Sequence, residues 1–370
     1  MKPSEIAIIL GAMVLFFATE AHNRPDSQEW SMRRAGDKVS LTLDVRRTKG
    51  WGRNHWRNTT ELPWQALRGI TSEQLDRILS GVKFDILRDP GTLHCEGRSG
   101  LGRASGTFTF EPNQAFSSQL TALGYSAPTD EQLFSMLMHD VTLAFARRAS
   151  EAGLQASTKD LIDMRAHGVN EDYMERALAA GYTGLTARNL IDFRNHGVTP
   201  DFLRELKASG YSFSAKEIVD LRNHGVTADF VESVKAAGYA GIEARELVDL
   251  RNHGVDAGYM RGLKSHGLSP EPREIVDMKN HGIDPDYLRA LKEAGYENLA
   301  TRDVIDLKNH GVPAKMLREA KDLGFDFTIR EIIELRNNGV DGAYLRKVKD
   351  SGFANLTADK IVRLRQHGID

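Results

Sequence analysis

The sequence predicts a mainly α chain (α+β overall): an α-solenoid of two-helix repeats, preceded by a small antiparallel β domain. Three observations carry this. A His-Gly pair recurs at fixed intervals through the C-terminal half. Helix start and stop signals flank every recurrence. Upstream of them, the apolar pattern changes to period two.

The 370 residues divide, on these patterns, into a signal-like segment (1–21), a β domain (28–111), a helical linker (112–156) and the repeat array (157–370). Lys2 precedes an apolar run from Ile6 to Ala18. That run is shorter than the ~20 residues that span a bilayer. It reads as the core of a secretory signal with a cut after Ala21, and implies a periplasmic or secreted protein. No integral membrane segment is expected after cleavage. Cys95 is the single cysteine, so no intrachain disulfide can form. The net charge of −2 gives no general attraction to nucleic acid or anionic lipid.

In the β domain, "KVSLTLDV" alternates Val39, Leu41, Leu43 and Val45 on one face, as a half-buried strand does. The basic and aromatic stretch 46–57, with Trp51 and Trp56, reads as a loop whose tryptophans pack on the sheet. It is also the most contact-ready patch of this region. A short helix is expected over 72–79. Strands follow at 82–87, 91–97 and 106–110, with Asp89-Pro90-Gly91 as a turn. About four strands are therefore expected. The glycine-rich stretch 97–106 reads as a hairpin connection, since a phosphate-binding loop would lead into a helix and here a strand follows. Cys95 falls within a strand and reads as a small buried residue. Helices are expected over 113–123 and 130–148, the second capped by Thr129.

The array is aligned on His167, His196, His224, His253, His281, His310, Asn338 and His367, spaced 29 and 28 residues in strict alternation. A period in this range marks a solenoid, in which each unit buries its apolar face on its neighbours. Helix A opens with a capping box, as at Ser214 and Glu217 or Thr328 and Glu331. Ile218, Val219 and Leu221 form its apolar stripe, and Gly225 closes it in a left-handed turn. Helix B is capped by Thr199, Thr227, Asp256 or Asp284. An aromatic follows (Phe202, Phe230, Tyr259, Tyr287), and a second turn, such as Gly210-Tyr211, ends it.

Each repeated side chain has a structural reading beside a chemical one. The histidines lie in the last turn, where the helix dipole favours positive charge, and four residues after an acid (Asp192 and His196, Asp220 and His224). Equivalent residues in stacked units point the same way, so a converging metal site is not expected. Asn338 in the histidine position fits a cap better than a catalyst. The cations Arg165, Arg194, Arg222, Arg251, Lys279, Lys308, Arg336 and Arg365 could read one phosphate per unit. A solvated, ion-paired face is the expected account. No catalytic residue, metal site or cofactor is expected.

The run "VKFDILRDPGTLHCEGRSGLGRASGTFTFEPN", followed by units such as "LTARNLIDFRNHGVTPDFLRELKASGY", resembles uncharacterised secreted bacterial repeat proteins. It is also similar to the extracytoplasmic extensions of the BlaR/MecR-type membrane metallopeptidases (family M56). The zinc-binding HExxH of those peptidases has no counterpart here. The resemblance implies a sensing or interaction module, and carries no catalytic residue. The expectation is a non-catalytic envelope protein that binds a protein partner, with the partner's identity and the oligomeric state left open. The alternative is repeat-based nucleic-acid binding, which needs a basic reading face.

Overall fold

The computed structural model describes residues 27–47, 54–353 and 355–369. The signal-like segment and Trp51 lie outside the described residues. The described residues up to Ala166 form one compact unit, and those from His167 form a second.

The first unit holds six strands rather than four: β1 Ser27–Ala35, β2 Lys38–Arg47, β3 Asn54–Pro63, β4 Leu79–Arg88, β5 Gly91–Gly100 and β6 Arg103–Pro112. They form one antiparallel sheet in the order β3-β2-β1-β6-β5-β4. Two three-stranded meanders thus join through β1 and β6. β1 and β3 escape a pattern search because polar residues dominate both. Trp30 and Met32 are the large apolar residues of β1, and Trp56 and Leu62 those of β3. A strand of an antiparallel sheet with one solvated face needs only one apolar face. The stretch read as a loop at 54–57 is therefore the start of β3. The helix expected at 72–79 is a 3₁₀ turn over Ser72–Leu75, and Leu79 already belongs to β4.

One face of the sheet buries Trp30, Met32, Leu41, Leu43, Phe84, Leu93, Cys95 and Phe108. Against it lies helix α2 (Asp130–Met138), which follows α1 (Gln114–Ala122). Phe134 of α2 sits 5.6, 5.9 and 5.5 Å from the rings of Trp56, Phe108 and Phe110. The glycine-rich stretch 97–106 is a hairpin, as expected. Leu101 and Gly102 turn it with φ of 54° and 75°, the left-handed pair a two-residue turn requires.

The helix expected over 130–148 is two helices, α2 and α3 (Leu143–Glu151). Between them His139-Asp140-Val141 has the form of the repeat's His-Gly-Val turn, with Asp140 at φ 55°. His139 lies 28 residues before His167, which continues the alternation. Gly124-Tyr125 ends α1 as the Gly-Tyr turns end helix B, with Gly124 at φ 93°. The segment read as a linker therefore has the grammar of the repeat. An aspartate at the glycine position hid it.

Among the described residues there are 18 α-helices, each of eight or nine residues. Unit 224 shows their rules. Ser214 Oγ accepts from the Glu217 amide, and Glu217 accepts from the Ser214 amide at 2.7 Å. His224 ends the helix, Gly225 takes φ 68°, and the Val226 amide returns to Leu221 O at 2.9 Å. Leu221 and Val226 are fully buried. The alternating period has a cause in the second turn. Long turns carry a further left-handed residue, Gly184, Gly241, Asn298 or Asn355. Two of the short turns instead stack aromatics, Tyr211 on Phe213 and Phe325 on Phe327.

Replacing Gly225 by Val should lower stability in denaturant unfolding by about 1–2 kcal/mol, the left-handed cost for a side chain. No atom lies within 4 Å of the added Cβ, so the loss reports backbone strain alone. An unchanged midpoint would contradict the turn.

Candidate functional site

The side chains that repeat from unit to unit meet across the seams between units. The cation of helix A lies over the helix B aromatic of the preceding unit. Arg194 stands 5.1 Å from the Tyr173 ring, Arg222 5.5 Å from Phe202, Arg251 5.5 Å from Phe230, and Lys279 and Lys308 4.6 Å from Tyr259 and Tyr287. The guanidinium also donates to the carbonyl of the preceding turn glycine: Arg194 to Gly168, Arg222 to Gly197 and Arg336 to Gly311, at 2.9–3.1 Å. This corrects the expected ion pairing, while Arg194, Arg222, Arg251 and Arg336 stay exposed as expected. Acids near the end of helix A pair instead with cations four residues earlier, as in Arg188–Asp192.

The aromatics are held at their far end. Tyr173, Tyr259, Tyr287 and Tyr344 donate to Val198, Ile283, Val312 and Ile369 O, at 2.6–2.9 Å. Burial pushes the Tyr173, Tyr259 and Tyr287 hydroxyls up to about 12. Helix B lysines make a second ladder on the turn aromatics. Lys207 lies over Tyr182, Lys264 over Tyr239, Lys321 over Tyr296 and Lys349 over Phe325, at 4.1–5.2 Å.

The histidines reach the next unit rather than their own acid. Nδ1 of His167, His196, His224 and His310 bonds Asn195, Asn223, Asn252 and Asn337 Oδ1 at 2.9–3.1 Å. An amide oxygen only accepts, so the proton sits on Nδ1. His253 turns to its own Asp249 carbonyl at 2.8 Å. Among the described residues no three His, Cys, Asp or Glu side chains are grouped to hold a metal ion.

The outer face of the sheet offers a different surface. Register aligns Arg57, Asp44, Glu29, Thr107, Glu96 and Lys83 in one row across all six strands. Thr59, Thr42, Ser31, Ser105 and Arg98 form the next row. Arg57 grips the nearly buried Asp44 carboxylate at 2.7 and 3.0 Å, and Arg46 adds a bond at 3.2 Å. Lys83 pairs with Glu96 at 2.6 Å. All but Thr59 of these residues line a groove of about 690 Å³, with the Ser80-Gly81 bulge of β4 in its wall. Bulges often re-aim strands beside binding sites. From the core side, the Trp30 indole donates to Thr107 O at 2.9 Å and Glu96 O at 3.2 Å. Gly97 and Gly106 face each other beside it, and a Cβ on Gly106 would fall 1.8 Å from Glu96 O. The groove suits a polar ligand with charges of both signs.

A sequence pattern does not reveal this groove, because its residues come from all six strands. Cys95 is buried on the core face, and burial pushes its thiol up to about 12. That removes thiolate character at neutral pH.

His94 sits beside the groove rows, Nδ1 2.8 Å from Asp85 and Nε2 3.0 Å from Glu111. Both ring nitrogens face carboxylates. The bond to Glu111, then that to Asp85, holds its pKa above the ordinary histidine value. A raised folded pKa stabilises fully below the unfolded pKa of ~6.5 and loses that stability as pH rises through the folded value. Nuclear magnetic resonance of the His94 ring should show a midpoint above 6.5, and Glu111→Gln should lower it. A midpoint at or below 6.5 would contradict the bridge.

Compared with known proteins, the chain matches no family model and no curated protein.

Proposed function

We propose that the chain is a non-catalytic recognition module of the cell envelope, which holds a protein partner on the outward face of its second helices. One observation carries this reading. The side chains that recur in every unit are engaged in the seams, whereas the exposed ones differ. At one outward position the units read Glu175, Arg204, Glu232, Arg261, Arg289, Arg318 and Arg346, all exposed. At the position four residues on they read Ala179, Ala208, Ala236, Ser265, Glu293, Asp322 and Asp350. Solenoid binders place specificity in residues that vary among units. The nucleic-acid alternative would draw on Arg194, Arg222 and Arg251, whose guanidiniums already lie over rings, two of them also bonded to a turn carbonyl. The envelope location rests on the signal-like segment and on the resemblance to extracytoplasmic extensions.

Crosslinking and pull-down from an envelope fraction test the reading. The pair Glu232→Ala and Arg261→Ala should cut capture about tenfold, the effect of ~1.4 kcal/mol, and leave the unfolding midpoint unchanged. Arg222→Ala should instead destabilise by about 1–2 kcal/mol, from the lost ring contact and carbonyl bond. Capture that is indifferent to the outward pair would overturn the assignment. N-terminal sequencing of exported protein checks the cut after Ala21.

A further inference from the structure

The two edges of the sheet are finished differently. The hairpin turn Gly36-Asp37 closes on Ala35 and Lys38, the pair that exchanges both backbone hydrogen bonds in a two-residue turn. Counted by twos from that pair, Val39, Leu41 and Leu43 of β2 turn their backbone groups to β3, where they meet Leu62, Thr60 and Asn58. Arg57, Thr59 and Glu61 therefore turn their N–H and C=O groups to the free edge of β3. The same count from Arg88 and Gly91 puts Asp85 on the free edge of β4. There Asp85 exchanges both bonds with Arg68, at 2.8 and 2.9 Å, and a bulge between Leu79 and Val82 interrupts the strand. A bulge and a covering segment are known guards of an open edge. β3 pairs with β2 without a register shift, and among the described residues no backbone hydrogen bond is made on its outer side.

We propose that β3 pairs with β3 of a second copy of this chain, antiparallel about a two-fold axis at Thr59, so that the two sheets become one. The strand is self-complementary about that residue. Arg57 of each copy stands opposite Glu61 of the other on the outer face, where both are exposed, and Trp56 stands opposite Leu62 on the core face. Opposite charges facing each other across a strand pair stabilise it, and like charges destabilise it. A two-fold at Arg57 or Glu61 would oppose like charges, and one at Asn58 or Thr60 would set Arg57 against Thr59 or Pro63. The backbone agrees with the axis at Thr59, because the residues that carry the outward groups then meet one another. Arg57 holds Asp44 through Nε and Nη2, and a guanidinium has further N–H donors with which to take a second carboxylate. An unrelated strand lacks this match, so the same charges guard the edge against other chains. The dimer goes beyond the recognition reading and does not depend on it.

Sedimentation equilibrium of the exported protein over a concentration series tests this, and the expected result is a monomer–dimer equilibrium. Glu61→Arg sets like charges across the axis and should raise the dissociation constant at least tenfold (~1.4 kcal/mol). Thr59→Pro removes an N–H that makes no bond to β2 and should leave only monomer, since proline is tolerated on an edge strand. Circular dichroism and the unfolding midpoint confirm that each variant is folded, and Glu61→Arg, at an exposed side chain, carries the test if Thr59→Pro is not. Cys95 is buried, so Thr59→Cys supplies the accessible thiol and should crosslink to its own copy with a short bismaleimide. Leu87→Cys, exposed on β4 at the opposite edge, should not. A monomer at every concentration, a dimer unmoved in the folded variants, or crosslinking through Leu87→Cys in place of Thr59→Cys would overturn the pairing.

Discussion

The constraint on which the rest depends is the length of the helices. Eight or nine residues give just over two turns, and nucleation costs leave such a helix marginal alone. Each helix must therefore be held from outside, at both ends and along one face. The capping boxes hold the start. The left-handed residue holds the end. The seam holds the face, with a cation over a ring and its N–H groups on the preceding turn's open carbonyl. That last contact joins the two problems, because the carbonyl left open by the end of one helix is satisfied by the side chain of the next unit.

This arrangement determines what is left for recognition. Arginine and lysine are the side chains that phosphate readers use, and in this array the recurrent ones are placed over aromatic rings. The recurrent histidines bond the neighbouring asparagine, which fixes their tautomer and their orientation. Repetition within a single chain thus separates two kinds of residue. Those that recur answer the same local requirement in every unit. Those that differ face water on helix B, where the contacts between units are exposed ion pairs such as Arg318 with Glu293. The sheet divides in the same way, with an apolar face against helix α2 and a charged face that lines the groove.

Much of the array was legible in the sequence, because its signals are local. Ser214 with Glu217, Gly225, and Pro200 at a helix start each act within four residues. The seam partners were not legible, since Arg222 and Gly197 lie 25 residues apart and only stacking brings them together. The acid next to the cation in sequence suggested an ion pair, but it points to a different partner. The two strands that escaped notice, β1 and β3, have few apolar residues, and Trp30, Met32 and Leu62 are the buried ones. Asp140 concealed the first turn of the repeat. A search that accepted aspartate in left-handed positions, where it is tolerated, would have found it.

The exceptions in the array separate a role in the fold from a role beyond it. Asn338 replaces a histidine, and the residue it should meet in the next unit is Gln366 rather than asparagine. The donor has become shorter and its partner longer by one methylene. The bond survives with its direction reversed, Gln366 Nε2 donating to Asn338 Oδ1 at 2.9 Å. Asn338 also donates to Glu334 O, the contact His253 makes to Asp249 O. Such compensation keeps a hydrogen bond across this seam without an imidazole. A catalytic or metal-binding role would require the reverse, the ring kept and its neighbours free to change.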